Sequence, residues 1–402
     1  MHATPRHTPP TPRIAPLLLL AALAGGCATV QVSTPTAPVQ DTPAQSNQRA
    51  ARWQFDAGTR PPAERDGYRP PVKLAVLLPL NGALATAAEP VRDGLLAGYY
   101  NETRRRPELA FYDTGGTAAG AEAAYARAVA EGADQVVGPL GREEIDAVYR
   151  GVQAKAPVIA LNRSATAPPA NSASFSLAPE DDGIGAADYL VARKAKRVLV
   201  LAGDGDYARR SIAAFTKRLQ EHEGSVVQTV AITGDKPADQ GPVLQAAAQR
   251  EGGVDAVFVA LRGTQARALV PQLSLAGLGG KPRVATSQIL SGTGKAETDR
   301  LLDGIAFPTD AWSVSGVRGL PAANLTGQRL PTARGPAAKL FAFGYDAWLL
   351  AAYLEYLALG DDARIDGATG VLRIGADGNV VRAPAWSTFR DGVAVPLAGA
   401  GG

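Results

Sequence analysis

The stretch Lys73-Leu74-Ala75-Val76-Leu77-Leu78-Pro79-Leu80-Asn81-Gly82 decides how this chain is read. Leu74 to Leu78 form a short, unbroken apolar run, the pattern of a strand buried on both faces, as in a parallel sheet. Pro79 to Gly82 predict the turn that ends it. Outward from this point the same rhythm returns. A helix is predicted over 87–100, then a strand at Leu109-Ala110-Phe111-Tyr112 that ends in Asp113-Thr114-Gly115. Helix 118–131, strand 135–137 stopped by Gly138-Pro139, helix 142–155 and strand 157–161 followed by Asn162-Arg163 complete the set. Short apolar runs alternating with amphipathic helices are the mark of a parallel sheet with crossover helices.

A second set follows, with strands at 197–201, 226–231, 255–260 and 283–286 and helices over 207–223, 241–251 and 264–276. Between the sets, Ser174-Phe175-Ser176-Leu177 and a helix over 182–193 look like a crossing. The predicted fold class is therefore α/β, with two doubly wound parallel-sheet lobes and a cleft between them. Past Phe307 the pattern loosens through a Gly- and Pro-rich stretch to Gly335. An apolar helix over 336–359 then carries Phe341, Tyr345, Trp348, Leu349, Tyr353 and Leu357 at core spacing. The last piece, 370–397, has two apolar alternations around Ala376-Asp377-Gly378-Asn379, a hairpin signal.

The 402 residues are 46% hydrophobic and 20% charged, enough for two domains with substantial cores. Cys27 is the single cysteine, and of the three histidines His2 and His7 sit at the very start. A His cluster for zinc or a Cys pair is impossible, and a His-based triad could form only around His222. His222 stands between Glu221 and Glu223 near a helix end and reads as a solvated surface residue. No metal and no cofactor are expected.

Arg6 and Arg13, the apolar run 14–23 and the small residues before Cys27 read as a secretion signal, too short to span a membrane. Leu23-Ala24-Gly25-Gly26-Cys27 resembles the bacterial lipobox, in which the cysteine is lipidated and becomes the mature N-terminus, although Leu stands one place too early. Ala28 rather than Asp after the cysteine favours, by the same resemblance, the outer membrane. Loss of residues 1–26 removes two arginines and no acid, so the net charge of +3 falls to +1 and gives no reason to expect nucleic acid. From Ala28 to Pro71 the composition turns to Thr, Pro, Ala, Gln and Arg, which predicts a tether spanning roughly 35–40 Å as a flexible coil. Trp53 and Phe55 stand out in it as residues that could pack on the domain that follows.

The series Val76-Leu77-Leu78-Pro79-Leu80-Asn81-Gly82, Arg92-Asp93-Gly94, Tyr112-Asp113-Thr114, Gly132-Ala133-Asp134 with Val137-Gly138-Pro139-Leu140, and Pro157 to Asn162 resembles type I periplasmic binding proteins. More closely it is similar to the C-terminal domain of the LppC/LpoA family, outer-membrane lipoproteins that activate penicillin-binding proteins. Phe343-Gly344-Tyr345-Asp346-Ala347, Gly378 to Arg382 and Trp386 to Gly392 continue the match, so it covers nearly all of 73–397. The best-known members carry a helical-repeat domain ahead of this one, for which 28–71 has no room. The resemblance implies a non-catalytic regulator of peptidoglycan synthesis, held at the periplasmic face of the outer membrane by Cys27. Its partner would be a class A penicillin-binding protein. It also implies three crossings, near Leu177, Phe307 and Gly335. The division expected is signal 1–26, tether 27–71 and a bilobed domain over 72–397. Lobe 1 takes about 72–177 with 336–359, lobe 2 about 178–306, and 307–335 and 360–397 form crossings and hairpin.

Ligands of such folds sit just past the strand ends. Lobe 1 offers Leu80, Asn81, Gly82, Asp113, Thr114, Gly138, Pro139, Asn162 and Arg163. Lobe 2 offers Asp204, Tyr207 and Ser287. Whether a small molecule binds there is left open. Enzyme readings find little support. No Ser-x-x-Lys is present, Gly292-Thr293-Gly294-Lys295 lacks the first glycine and the hydroxyl of a P-loop, and Asp204 with Asp206 reads as a turn and helix cap. The rival is a solute-binding lipoprotein of an ABC importer for an amino acid or similar polar ligand. Against it, Gly138-Pro139-Leu140-Gly141 offers no hydroxyl for an α-carboxylate.

Overall fold

In the computed structural model of the chain, residues 52–55, 60–151, 156–235, 237–360 and 362–397 are described. The signal, Cys27 and most of the expected tether lie outside them. β1 (Lys73–Leu78), β2 (Glu108–Asp113), β3 (Gln135–Val137), β4 (Val158–Ala160) and β5 (Ala173–Ser174) form one parallel sheet in the order β2-β1-β3-β4-β5. Leu74 to Leu78 are fully buried, as an unbroken apolar run requires. The helices Ala85–Asn101, Ala118–Ala130 and Arg142–Gly151 connect the strands.

The second lobe is built on β6 (Arg197–Gly203), β7 (Ser225–Ile232), β8 (Ala256–Ala260), β9 (Arg283–Ala285) and β10 (Ile305–Thr309), again parallel. Pro179–Val191 and Asp206–Glu221 are its closely packed helix pair. Phe307, expected at a crossing, lies fully buried inside β10. The chain leaves this sheet at Asp310 and reaches the long helix Ala337–Leu359, which packs against Ala85–Asn101 of the first lobe. Residues 310–336 are thus one passage, of which Gly335 is the far end.

The predicted hairpin is real, and it belongs to the first lobe. β11 (Ile365–Asp366), β12 (Val371–Ile374) and β13 (Val380–Ala383) form an antiparallel sheet whose Leu372, Ile374 and Val380 join the core around Leu74 and Trp348. A further passage at Pro384 returns the chain to the second lobe. There β14 (Ala385–Arg390) pairs antiparallel with β10, and β15 (Val393–Pro396) closes the edge, giving the order β15-β14-β10-β9-β8-β6-β7. The last alternation is therefore two strands of the second sheet rather than a free hairpin end.

The end of the expected tether is packed. Trp53 is 3% exposed, stacks on Phe55 and lies in the first lobe's core, and Tyr68 is 2% exposed. Arg60 and Arg69 both pair with Glu355 of the long helix. Two large aromatics in a Pro-rich stretch suffice to pin it, since burying each is worth about 1.5–3 kcal/mol. Among the described residues no helix is long and apolar enough to cross a membrane.

Both lobes rest on helix crossings at backbone distance. A methyl on Gly94 would overlap the Phe341 carbonyl, and one on Gly344 the Val91 carbonyl. In the second lobe Gly183 meets the Ser211 carbonyl in the same way. Three of the four crossing helices send a residue of their first turn to the lobe junction, Asp182, Tyr207 and Lys339.

Candidate functional site at the lobe junction

In the first lobe the strand-end residues hold one another. The Asp113 carboxylate accepts from Leu80 N–H at 2.9 Å, Asn81 Nδ2 at 2.6 Å and Gly115 N–H at 2.9 Å. Those donors, Gly115 and Leu80 first, hold its carboxyl below the usual range. Thr114 is buried, its N–H bonded to the Leu78 carbonyl, and Gly82 adopts a positive φ of 81°. Gly138 and Pro139 are joined by a cis peptide bond, and a side chain on Gly138 would strike the Leu77 carbonyl. Asn162 Nδ2 donates to the Leu140 carbonyl, and Arg163 reaches across to Asp181 at 3.6 Å and to the Val380 carbonyl. Leu80, Asn81 and Asp113 are exposed, and among the described residues no hydrogen bond joins them to the second lobe.

The second lobe is arranged differently. Asp182, in the first turn of Pro179–Val191, is 1% exposed and accepts from Tyr207 OH at 2.5 Å and Ser287 N–H at 2.7 Å. Tyr207 OH lies 3.1 Å from Ser287 Oγ, and Lys339 Nζ, from the long helix of the first lobe, donates to that oxygen at 2.9 Å. The structure thus brings Tyr207 and Ser287 together and adds Asp182 and Lys339, which the strand-end rule did not reach. Burial and then the Asp182 charge push the Tyr207 phenol well above its ordinary value, so it stays a neutral donor.

Behind this cluster stand more charges. Arg382, on β13, places Nη2 3.9 Å from Asp182 Oδ1, with its side chain 2% exposed. Burial pushes the Asp310 carboxyl upward, with Lys339 and Arg382 pulling it back. Asp182 Oδ1, Asp310 Oδ1, Arg382 Nε and Thr286 Oγ1 are buried without hydrogen-bond partners among the described residues. Each such group costs about 1–3 kcal/mol, so the junction is polar at the expense of stability. The arrangement can tie the lobes together, because Lys339 belongs to one and Ser287 with Tyr207 to the other.

Asp204 lies apart from that knot. It accepts from Gly234 N–H and Gln265 Nε2, both at 3.2 Å, and pairs with Arg262 at 3.5 Å. These bonds, Gly234 first, lower its pKa. Asp204 and Tyr207 both line a cavity of about 400 Å³ on the second lobe, with Arg262, Gln265 and Thr286. The expected aspartate cap is absent: Gly205 occupies the N-cap position of Asp206–Glu221, and Asp206 instead pairs with Arg209 and Arg210. His222 is an exposed helix C-cap, as read from its acidic neighbours.

A family model described as LppC putative lipoprotein matches residues 67–392, the whole span from the buried Tyr68 to the β14–β15 turn. The chain belongs to the LppC family. Among curated relatives, penicillin-binding protein activator LpoA of Dickeya chrysanthemi is 28% identical over 311 residues, covering 67% of this chain and 45% of that one. The LppC chain described here thus spans about half the length of the curated relatives it matches. Among solved structures, the LpoA C-domain from Haemophilus influenzae, a regulator of PBP1A, superposes with a TM-score of 0.68 at 21% identity, over 81% of this chain and 99% of that one. A putative branched-chain amino acid ABC transporter structure from Chromobacterium violaceum gives 0.64 at 30% identity, over 79% of this chain and all of that one. Both likenesses agree with the periplasmic binding protein-like α/β fold.

One loop of this chain bears on ligands. The Gly141 N–H, in the loop where an amino-acid binder would present donors to an α-carboxylate, is taken at 2.7 Å by Glu144 Oε2 of the chain itself. Glu144 is 1% exposed. Sequence reasoning found this loop and its missing hydroxyl, and the internal carboxylate that fills it lay three residues further on.

Proposed function

We propose that this chain is a non-catalytic lipoprotein, anchored through Cys27 at the periplasmic face of the outer membrane, that binds and activates a class A penicillin-binding protein. The observation that carries the reading is the LppC family match over 67–392, with relatives named penicillin-binding protein activators. Contact rather than catalysis suits the junction, where Ser287 is a node between Lys339, Tyr207 and Asp182 and Asp113 is spent on loop hydrogen bonds. A synthase on the opposite membrane has to be reached across the wall, and a lead after Cys27 serves that. No nucleic-acid partner belongs to this reading.

The importer reading draws support from the 30% identity to the transporter-related structure. Glu144 on the Gly141 N–H counts against it, since an incoming carboxylate would have to displace a buried one. Affinity capture with the purified chain from an envelope extract decides between the two. Recovery of a bifunctional synthase, with faster glycan polymerisation when the two are mixed, is the expected result. Calorimetric binding of a free amino acid, with no synthase recovered, would overturn it. Cys27→Ala should move the protein from the membrane to the soluble fraction, and continued membrane association would remove the anchor from the proposal.

A further inference from the structure

A second cavity, of about 640 Å³, opens on the first lobe away from the lobe junction. It lies between the last turn of Ala85–Asn101, the C-terminal half of the long helix, the Arg318-Gly319 loop and β11. Its size is that of a small-molecule site.

The walls have three kinds of group. Tyr356 supplies exposed ring surface, while Trp348, 2% exposed, belongs to the core behind the wall. The Tyr356 ring lies directly on Gly67, where a methyl would come within 2.6 Å of it, and the side chain stays 39% exposed. Trp348 is seated against Gly98. Tyr353, at a break in the helix with φ −119° and ψ 17°, joins Arg104 and Asp66 in a network that fixes one side. Arg104 is consumed there, bonded to both Glu102 and Asp66. The third kind is unspent charge. Arg318 and Arg364 are exposed on the cavity and their guanidinium groups have no partner among the described residues, against one unpaired acid, Asp366.

We infer that this cavity binds a hydroxyl-rich sugar ring carrying a carboxylate. The exposed flat face of Tyr356 suits the apolar side of a pyranose. Asp366, the acid left unpaired on the cavity, can accept from ligand hydroxyls. Two free guanidinium groups match a single carboxylate, where planar bidentate contact is strongest. An uncharged aromatic ligand would use the ring and leave the carboxylate and arginines without work. Choosing a cell-wall sugar as the probe rests on the synthase-regulator reading; the chemistry of the cavity does not.

Titration calorimetry of the full chain with N-acetylmuramic acid tests this, with uncharged di-N-acetylglucosamine as the control. The expected result is saturable binding of the first at least tenfold tighter than the second. Arg318→Ala and Arg364→Ala should each weaken it about tenfold, their lysine counterparts less, and Ser287→Ala not at all. Circular dichroism checks that the variants fold, and both arginines are exposed. No saturable binding, equal binding of the uncharged disaccharide, or binding indifferent to both arginines would overturn the inference. Synthase capture by the same variants separates the two proposals. Capture retained while the sugar fails to bind refutes the cavity alone.

Discussion

The two lobes make the same helix crossing with different residues, and the difference separates scaffold from junction. In the first lobe two glycines face each other, Gly94 against the Phe341 carbonyl and Gly344 against the Val91 carbonyl, with apolar residues on every side. In the second, Gly183 meets Ser211, whose Oγ donates to the carbonyls of Pro179 and Tyr207. The first crossing maximises dry contact. The second is polar because its neighbours, Asp182 beside Gly183 and Tyr207 one turn before Ser211, are the residues that hold Ser287. Crossing and junction cluster are thus one construction in the second lobe, whereas the first lobe contributes Lys339 from one end of its long helix and the sugar cavity from the other.

Breaking the dry crossing should cost most. Gly344→Ala places a methyl against a backbone carbonyl that cannot yield without moving a helix, and we expect a loss of about 4 kcal/mol in urea unfolding. A loss below about 1 kcal/mol would mean that the helices separate freely. Asp182→Ala attacks the polar crossing instead. It leaves Arg382 buried without its nearest counter-charge and frees Tyr207 and the Ser287 N–H, for an expected loss of about 3 kcal/mol. If Tyr207→Phe and Asp182→Ala prove additive, measured singly and together, the cluster is not a unit.

The scaffold was far more legible than the junction. Five unbroken apolar residues at Leu74–Leu78 announce a buried strand by themselves, and the repeat of strand and helix carries the sheets. Asp182 and Lys339 announce nothing, because their meaning depends on Ser287, 105 and 52 residues away. The strand-end rule selected Tyr207 and Ser287 because both follow strands, and it missed partners that enter from helix starts. β14 and β15 showed their alternation, but the identity of their sheet depends on β10, which a period-two pattern cannot name. At the tether's end Trp53 and Phe55 stood out singly and do pack, whereas Tyr68 did not stand out, because composition averages over a window.

A third prediction concerns Asp346, a fully buried acid of the first lobe. Asp346 accepts from Ala368 N–H at 2.5 Å, Thr369 N–H at 2.8 Å and Thr369 Oγ1 at 2.6 Å, pinning the chain just before β12. Burial outweighs those donors and pushes its carboxyl up to about 7. The folded state then holds a proton that the unfolded state has released, so this group's stabilisation is full below about pH 4. It is lost as pH rises through about 7. We expect stability to fall by about 2 kcal/mol over that window, below the roughly 4 kcal/mol that the whole shift would carry. Asp346→Asn should flatten the slope, and an unchanged pH profile of the denaturation midpoint would assign the slope to other groups.

The smallest effect belongs to the exposed loops of the first lobe. Asp113→Ala removes the acceptor shared by Leu80, Asn81 and Gly115, yet all of these can turn to water. A loss of about 1 kcal/mol or less follows, from hydrogen bonds whose partners stay solvated. Backbone amide exchange should nevertheless quicken at Leu80 and Gly115 while remaining slow in β1, because the strand is buried independently of its loop. Equal quickening in β1 would show that Asp113 braces the sheet, and the contrast between a loosely tied first-lobe rim and a load-sharing second-lobe junction would disappear.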